Sequence, residues 1–491
     1  MLKEKIKSLA SDTVTYGIFQ TLGRFLTALL TPLYSNYLTP ADNGVMAYVF
    51  SLLGLVQIIY AFGMEASFFR FYSQNDEALN KKVYTNSFIL MTVIALFFTV
   101  FLLSFSHSIS PKIIGEETPN AILIFQIACL IPLLDQLIVI PYGKLRMQRK
   151  IKKFAITRFC LILLAVILTS YFVMFTNLGL LGVFIANLIS CIVGAIIFLP
   201  DILKMMDFKI DFLLLKEMFR FGFPTLPTGL SVLILQVADR PIMKLFITNA
   251  EIGIYQIISK LAIPMLLVVA VFDYAWKPFF LSHFKDSEAK KLFSRVLTYY
   301  ILGASAIWIL VSFFIDYVVR IPLWDGKYFI HPDYWNSLEI AILIMFGYLI
   351  NGVTTNFAAV FHIDKKTKYL SLTIGVSAVV SIILNFILIP IFGSIGAAIS
   401  LVVGYSMGAI LTKVLHSKVD YKINYEWKRI IIIGFVSIFT VVVGRILGDS
   451  FDLTVAFFIK IGLLFIYLLL LKIFGFFTVG EIAQIKKIFK K

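Results

Sequence analysis

Residues 38–45 read Leu-Thr-Pro-Ala-Asp-Asn-Gly-Val, and residues 247–254 read Ile-Thr-Asn-Ala-Glu-Ile-Gly-Ile. Thr39 meets Thr248, Ala41 meets Ala250, Asp42 meets Glu251 and Gly44 meets Gly253, all 209 positions apart. The register then drifts slowly, as small loop insertions would make it. Lys152-Lys153 meets Lys365-Lys366 at 213, and Gly179-Leu-Leu-Gly182 meets Gly393-Ser-Ile-Gly396 at 214. Gly194-Ala-Ile196 meets Gly408-Ala-Ile410, again at 214. The chain therefore carries two copies of one unit.

The sequence between these marks says what the unit is. A bilayer core of ~30 Å needs ~20 apolar residues per helix. Fourteen such segments are present: 11–37, 44–70, 85–107, 119–142, 154–176, 179–200, 222–246, 251–277, 296–318, 336–361, 370–390, 394–416, 430–447 and 453–474. The first lacks a small-residue cleavage site and is interrupted by Gln20 and Arg24, so it reads as a retained span rather than a signal peptide. Spans 1–6 and 7–12 are the two copies, and spans 13 and 14 fall outside them. An even number of spans per copy leaves both in one orientation. That is a parallel repeat about an axis along the membrane normal, with a site expected between the halves. The expected fold is all-α integral membrane: an N-lobe at 1–200, an amphipathic cytoplasmic linker at 201–221, a C-lobe at 222–416, and spans 13–14 with a basic tail at 417–491.

Composition agrees. Hydrophobic residues make up 60% of the 491 and charged residues 15%, where soluble domains average about 45–50% and about 25%. The net charge of +16 is placed asymmetrically. With the N-terminus inside, inner segments carry thirty Lys and Arg and outer loops only Lys112, Arg320 and Lys327. This bias predicts both termini in the cytoplasm. The excess suits anionic membrane lipid, not nucleic acid. Residues 201–221 and the tail 479–491 alternate apolar and charged groups, as helices lying on the inner leaflet do.

Several chemistries lack their residues. There is no Gly-x-x-x-x-Gly-Lys-Ser/Thr loop for ATP. The five histidines form no cluster, and Cys129, Cys160 and Cys191 lie singly in apolar runs, so no metal or cofactor is expected. No Ser-His-Asp spacing or paired carboxylate suggests hydrolysis, and no loop reaches 25 residues.

Charges at membrane depth are costly, about 2.5–3.5 kcal/mol each on insertion scales, so they mark candidate sites. In span 1, Thr13, Gly17, Gln20, Arg24, Thr27, Thr31 and Ser35 recur every three or four residues and form one polar face. Such a face must meet a wet cavity or buried partners. Span 7 carries Asp239-Arg240-Pro241, with Gln236 and Lys244 one turn either side. Span 8 carries Lys260 near mid-depth, with Asp273 and Lys277 near its inner end. Span 2 carries Glu65 and Arg70 near its inner end. Arg70 and Lys277 read equally well as side chains that snorkel to the inner surface. Asp135, Arg158, Glu339, Lys413, Arg445 and Lys460 read as structural, being near span ends or without polar neighbours.

These residues, taken with their surroundings, resemble a known family. Phe219-Arg-Phe-Gly-Phe-Pro224-Thr-Leu-Pro227, Ala238-Asp-Arg240, Glu251-Ile-Gly-Ile-Tyr255, Lys260-Leu-Ala and Ala275-Trp-Lys-Pro278 are similar to the bacterial O-antigen and capsule repeat-unit flippases. Those belong to the multidrug/oligosaccharidyl-lipid/polysaccharide exporter superfamily. Leu38–Gly44 and Asn385–Ala398 match the same family. The resemblance implies two lobes around a cationic cavity, alternating access, and an undecaprenyl-diphosphate-linked glycan as cargo. It also implies the bacterial cytoplasmic membrane and a polysaccharide polymerase as protein partner.

On this reading Arg24, Arg240 and Lys260 bind the diphosphate, since Arg offers a permanently charged fork and Lys a point charge. Gln20, Thr27, Thr31, Tyr255 and Gln256 line the sugar path. Glu65, Asp239 or Asp273 couples transport to a proton or sodium ion, since desolvation raises a carboxyl pKa. The arginine-rich first helix of lipid II flippases is matched here only by Arg24. The alternatives are a lipid II flippase, a cation-coupled drug exporter with a more acidic cavity, and a membrane polymerase or ligase, which needs a larger outer loop than 319–335.

Overall fold

The structure, a computed structural model, describes residues 22–477 except 24, 74 and 208. The described chain is helical, and its one extended pairing is an isolated bridge between Pro322 and Tyr328. Among the described residues twelve helices are long and apolar enough to cross a bilayer, so this is a multi-pass membrane protein. One of them, Lys368–Lys418, has 51 residues. At 1.5 Å per residue it would run about 77 Å, more than twice a bilayer core. It is broken at Gly393, whose φ of 57° and ψ of −137° no helix allows, and so supplies both spans expected at 370–390 and 394–416. Residues 11–21 and 24 of the expected first span and the whole of tail 479–491 lie outside the described residues.

The chain forms two compact units, Met1–Lys260 with Ile374–Gly404, and Leu261–Thr373 with Tyr405–Lys491. The first contains α1 (Leu30–Tyr37), α2 (Pro40–Ala61), α3 (Met64–Phe71), α4 (Glu77–Ser104), α5 (Ser106–Ile113) and α6 (Ala121–Met147). It continues with α7 (Ile151–Phe175), α8 (Gly179–Met205), α9 (Phe212–Gly222), α10 (Leu226–Val237), α11 (Asp239–Met243) and α12 (Asn249–Lys260).

The start of α2 is set by a capping box with Pro40 at its first turn. Thr39 Oγ1 accepts from the Asp42 amide at 3.1 Å, and Asp42 Oδ2 accepts from the Thr39 amide at 3.2 Å. The second span is not the continuous helix expected over 44–70. Phe62 (φ 45°) and Gly63 (φ 73°) are both left-handed and separate α2 from α3. The cause is contact with the backbone of Gly222, since a β-carbon on Gly63 would lie 2.2 Å from its carbonyl oxygen. A left-handed Phe costs roughly 1–2 kcal/mol, offset here by its ring packing on Phe219 and Phe223, with centroids 5.5 and 5.9 Å away.

The stretch 201–221 divides. Its first residues end α8, and 212–222 form α9. Asp211 caps α9 by accepting from the Leu214 amide at 3.1 Å. Asn86 bonds both the amide and the carbonyl of Asp211, and Lys82 pairs with its carboxylate at 3.1 Å. Met218 is fully buried, and its carbonyl accepts from Ser67 Oγ at 2.5 Å. This segment is thus fastened to α3 and α4, over a core that includes Met64, Phe68, Tyr84 and Phe198.

The second unit holds α13 (Ile263–His283), α14 (Ala289–Val319), α15 (Glu339–Ile363), the two ends of α16 (Lys368–Leu415), α17 (Trp427–Asp449) and α18 (Leu453–Ile473). The span expected over 251–277 is interrupted at 261–262, and α13 restarts with Pro264 in its first turn, where a missing amide donor is harmless. An ion network ties α17 and α18 to α14 and α15. Arg445 bridges Asp316 at 2.6 Å and Glu339 at 2.7 Å, while buried Lys460 reaches Asp316 at 3.3 Å.

Candidate functional site

The glycines that mark the repeat touch each other's helices. A β-carbon on Gly44 would lie 1.7 Å from the carbonyl oxygen of Asn249, and one on Gly253 would lie 1.8 Å from that of Pro40. The 209-residue offset carries Pro40 to Asn249 and Gly44 to Gly253. The contact is therefore reciprocal: each glycine sits on the first residue of the other copy's helix. Small residues let the two backbones close, and α2 against α12 is the most extensive helix pairing in the first unit.

Around this contact lie the charges of spans 7 and 8. Asp239 is buried. Its Oδ1 pairs with Arg240 NH1 at 2.8 Å, and its Oδ2 accepts from the hydroxyl of fully buried Tyr255 at 2.6 Å. Arg240 also donates to Gln236 O at 2.8 Å and to Gln256 Oε1 at 3.2 Å from Nε and 3.1 Å from NH2. Its guanidinium stands 5.3 Å from the Tyr255 ring. Asp239, Arg240, Tyr255 and Gln256 therefore form one interlocked group, two adjacent residues of α11 against two adjacent residues of α12.

Lys260 ends α12 and faces the Tyr34 ring at 5.9 Å. Lys244 donates to Asn249 Oδ1 at 2.5 Å and faces the Tyr48 ring at 5.8 Å. Neither lysine has a carboxylate partner among the described residues. Two further acids, Asp42 and Glu251, stand in the first turns of α2 and α12.

The other predicted residues are placed as follows. Gln20 and Arg24 lie outside the described residues. Thr31 is buried, with its hydroxyl lacking a hydrogen-bond partner among the described residues, and Thr27 is exposed. Glu65, at the far end of the second span, pairs with Arg146 at 3.4 Å and not with Arg70, which is exposed. Asp273 and Lys277 belong to the second unit and pair with each other at 2.9 Å, one turn apart on α13. Sequence reasoning missed Tyr34, Tyr48 and Asn249. Tyr34 carried a signal, since it lies one turn beyond Thr31 on the polar face. So did Asn249, which occupies the repeat position of Pro40.

A family model described as polysaccharide biosynthesis protein matches residues 9–284. No curated protein matches the chain in sequence. Among solved structures, the lipid II flippase MurJ in an inward closed conformation is similar with a TM-score of 0.75 at 19% identity, covering 94% of this chain and 98% of that one. An inward-facing multidrug resistance MATE family transporter of the MOP superfamily gives a TM-score of 0.66 at 13% identity, covering 80% of this chain and 94% of that one. An outward-facing one gives 0.57 at 14%, covering 83% and 95%. The fold is that of the MOP superfamily.

Proposed function

The chain belongs to the polysaccharide biosynthesis protein family, and we propose that it moves an undecaprenyl-diphosphate-linked oligosaccharide repeat unit from the inner to the outer leaflet. Transport is by alternating access in the bacterial cytoplasmic membrane, with both termini inside, and supplies cell-surface polysaccharide. The chain performs no covalent chemistry of its own.

One observation carries the reading: Lys244 and Lys260 stand beside the Asp239–Arg240 pair and pair with no carboxylate among the described residues. Fixed cations in a low-dielectric setting are expensive unless an anion visits them. A diphosphate crossing hydrocarbon has the matching need, since it loses its water and requires charged donors in exchange. Arg240 is already oriented by Gln256, Gln236 and the Tyr255 ring, so phosphate oxygens can take over from Asp239 with little rearrangement of the fork. The proposal adds Arg24 of the first span, which lies outside the described residues, as a third diphosphate ligand with Arg240 and Lys260. The carboxylate displaced from Arg240, or Glu65 or Asp273, takes up the proton or sodium ion that gives the cycle its direction.

A second reading, lipid II as cargo, is supported by the higher likeness to the lipid II flippase structure. Both cargos share the prenyl diphosphate and differ in the head. Proteoliposomes containing the purified chain should flip a fluorescent undecaprenyl-diphosphate oligosaccharide, and do so faster than fluorescent lipid II. Equal or faster flipping of lipid II reverses the assignment, and flipping of neither ends it. Arg24→Ala should abolish flipping at normal membrane levels, and Arg24→Lys should restore it only in part.

A further inference from the structure

A cavity of about 520 Å³ lies inside the first unit, between α2, α3, α6, α7 and α8. Its volume falls in the ~300–1,000 Å³ range of small-molecule sites. None of the Arg240 cluster lines it. Its polar wall has an unusual balance.

Glu65 and Arg146 pair at 3.4 Å and cancel. Among the described residues Asp135 accepts only from a thiol, Cys191 Sγ at 3.1 Å, a weak donor that leaves most of its lone pairs open. Arg158 lies within electrostatic reach of Asp135 but makes no hydrogen bond or ion pair among the described residues. Its five donors stand exposed on a membrane-spanning helix, and it lines the cavity. The Tyr142 hydroxyl is buried with no hydrogen-bond partner among the described residues. Its ring is wedged between Phe154 and Phe198, with centroids 5.0 and 4.8 Å away, so the orphan oxygen has a fixed position. A buried polar group left unpaired is costly, and a ligand that bonds it would recover that cost.

The unspent groups describe the ligand. Arg158 calls for an anion. Asp135 and the Tyr142 oxygen call for hydroxyls, and Phe50 and Phe154 supply flat apolar wall. An apolar molecule would strand both Arg158 and Asp135. The turn from α6 to α7, which adjoins the cavity through Arg146 and Phe154, carries six Lys and Arg between 144 and 153, a field that draws anions to this end.

We propose that this cavity binds a glycosyl residue bearing an anionic group, with Arg158 on the anion and Asp135 and Tyr142 on ring hydroxyls. The anion is either a phosphate at the sugar's reducing end or the carboxylate of an acidic sugar. The proposal rests on the glycan-transport reading and deepens it: the first unit holds the head of the cargo at a site separate from the Arg240 cluster.

The test is calorimetric titration of the purified full chain in detergent with three probes: N-acetylglucosamine 1-phosphate, a glucuronate-containing disaccharide, and neutral lactose. One anionic probe should bind wild type more tightly than lactose, and which one it is identifies the source of the anion. Arg158→Gln should weaken that probe about tenfold or more, as the loss of a charge-assisted bond implies. Arg158→Lys should weaken it less. Tyr142→Phe, which deletes one oxygen and keeps the ring packing, should weaken it several-fold and serves if Arg158→Gln folds poorly. Equal binding by wild type and these variants overturns the site. So does a wild type that flips lipid-linked oligosaccharide yet binds neither anionic probe, and that result leaves the transport reading standing. Arg158-dependent binding in a chain that flips no lipid-linked glycan keeps the site and sinks the transport reading.

Discussion

Gly44 presses on the carbonyl of Asn249 so closely that a β-carbon at Gly44 would lie 1.7 Å from that oxygen. Asn249 is a backbone obstacle, not a side chain that can swing away. Alanine at Gly44 must therefore push α2 and α12 apart along their whole contact. Gly44→Ala and Gly253→Ala should each destabilise by about 1–3 kcal/mol, as overpacking does, and the pair should cost less than the sum because they relieve one contact. Gly229→Ala is the control, since nothing lies within 4 Å of its β position. Thermal unfolding in detergent checks this, and equal midpoints for all three would refute the close contact.

Asp239 is held from two sides, by Arg240 at 2.8 Å and by Tyr255 at 2.6 Å. Removing its charge takes from Arg240 the carboxylate that stands 2.8 Å away. Asp239→Asn should cost about 3–5 kcal/mol, the usual result of breaking a buried pair from one side. Tyr255→Phe loses only a hydrogen bond to a charged group, about 1.5–3 kcal/mol. Protein level in the membrane and unfolding midpoint should rank wild type, Tyr255→Phe, then Asp239→Asn. The reverse ranking would mean that Asp239 is neutral here.

The helices were legible because apolar length and basic bias are properties of the chain alone. The breaks within them were less so. Gly63 is ordinary in sequence, and its left-handed turn is imposed by Gly222, which is far along the chain. Gly44 and Gly253 were visible as marks of a repeat, but that they touch is a fact of packing. Asp239, Arg240, Tyr255 and Gln256 stood out singly, but their grouping comes from the packing of α11 against α12. The partner of Glu65 was not, since Arg146 comes from α6 and no local spacing points to it. Asp135 and Arg158 looked structural for the same reason: their neighbours are brought by other helices.

Arg445 serves two carboxylates of different exposure. Asp316 is 16% exposed at the side chain and Glu339 is 51% exposed. An exposed pair contributes about 0–1 kcal/mol, whereas breaking a buried one costs about 3–5 kcal/mol. Glu339→Ala should therefore be nearly silent, and Arg445→Ala should strongly destabilise the attachment of α17 and α18. Limited proteolysis between 449 and 453 reads this out. Equal effects of the two substitutions would show that the network is not organised around Asp316.

Asp211 caps α9 from outside the membrane-spanning segments. The Leu214 amide, followed by Lys82, holds its carboxyl below the usual carboxylate range. A depressed folded pKa means stability that is present above the unfolded value of about 3.9 and lost as pH falls through the folded one. Hydrogen exchange at 212–216 should thus be slow at neutral pH and quicken in acid beyond the intrinsic trend. Asp211→Asn keeps a cap but loses the Lys82 pair, and should flatten that pH dependence. An unchanged profile in the variant would remove Asp211 as its source.

Glu65 and Asp273 are the candidates for ion coupling, and each has a basic partner, Arg146 at 3.4 Å and Lys277 at 2.9 Å. Those pairs do not exclude the role. The side chains of Glu65 and Arg146 are 45% and 43% exposed, and those of Asp273 and Lys277 are 35% and 55% exposed. Exposed pairs of this kind are worth about 0–1 kcal/mol, so a proton or sodium ion can replace the partner at little cost. A structural role would instead show as lost stability on substitution. Proteoliposomes with an imposed pH or sodium gradient separate the two. The wild-type flipping rate should respond to one gradient, and Glu65→Gln or Asp273→Asn should lose that response while keeping its unfolding midpoint within about 1 kcal/mol of wild type. If neither gradient changes the wild-type rate, coupling through these acids fails, and they are ion-pair partners that tie Glu65 to α6 and stiffen the end of α13.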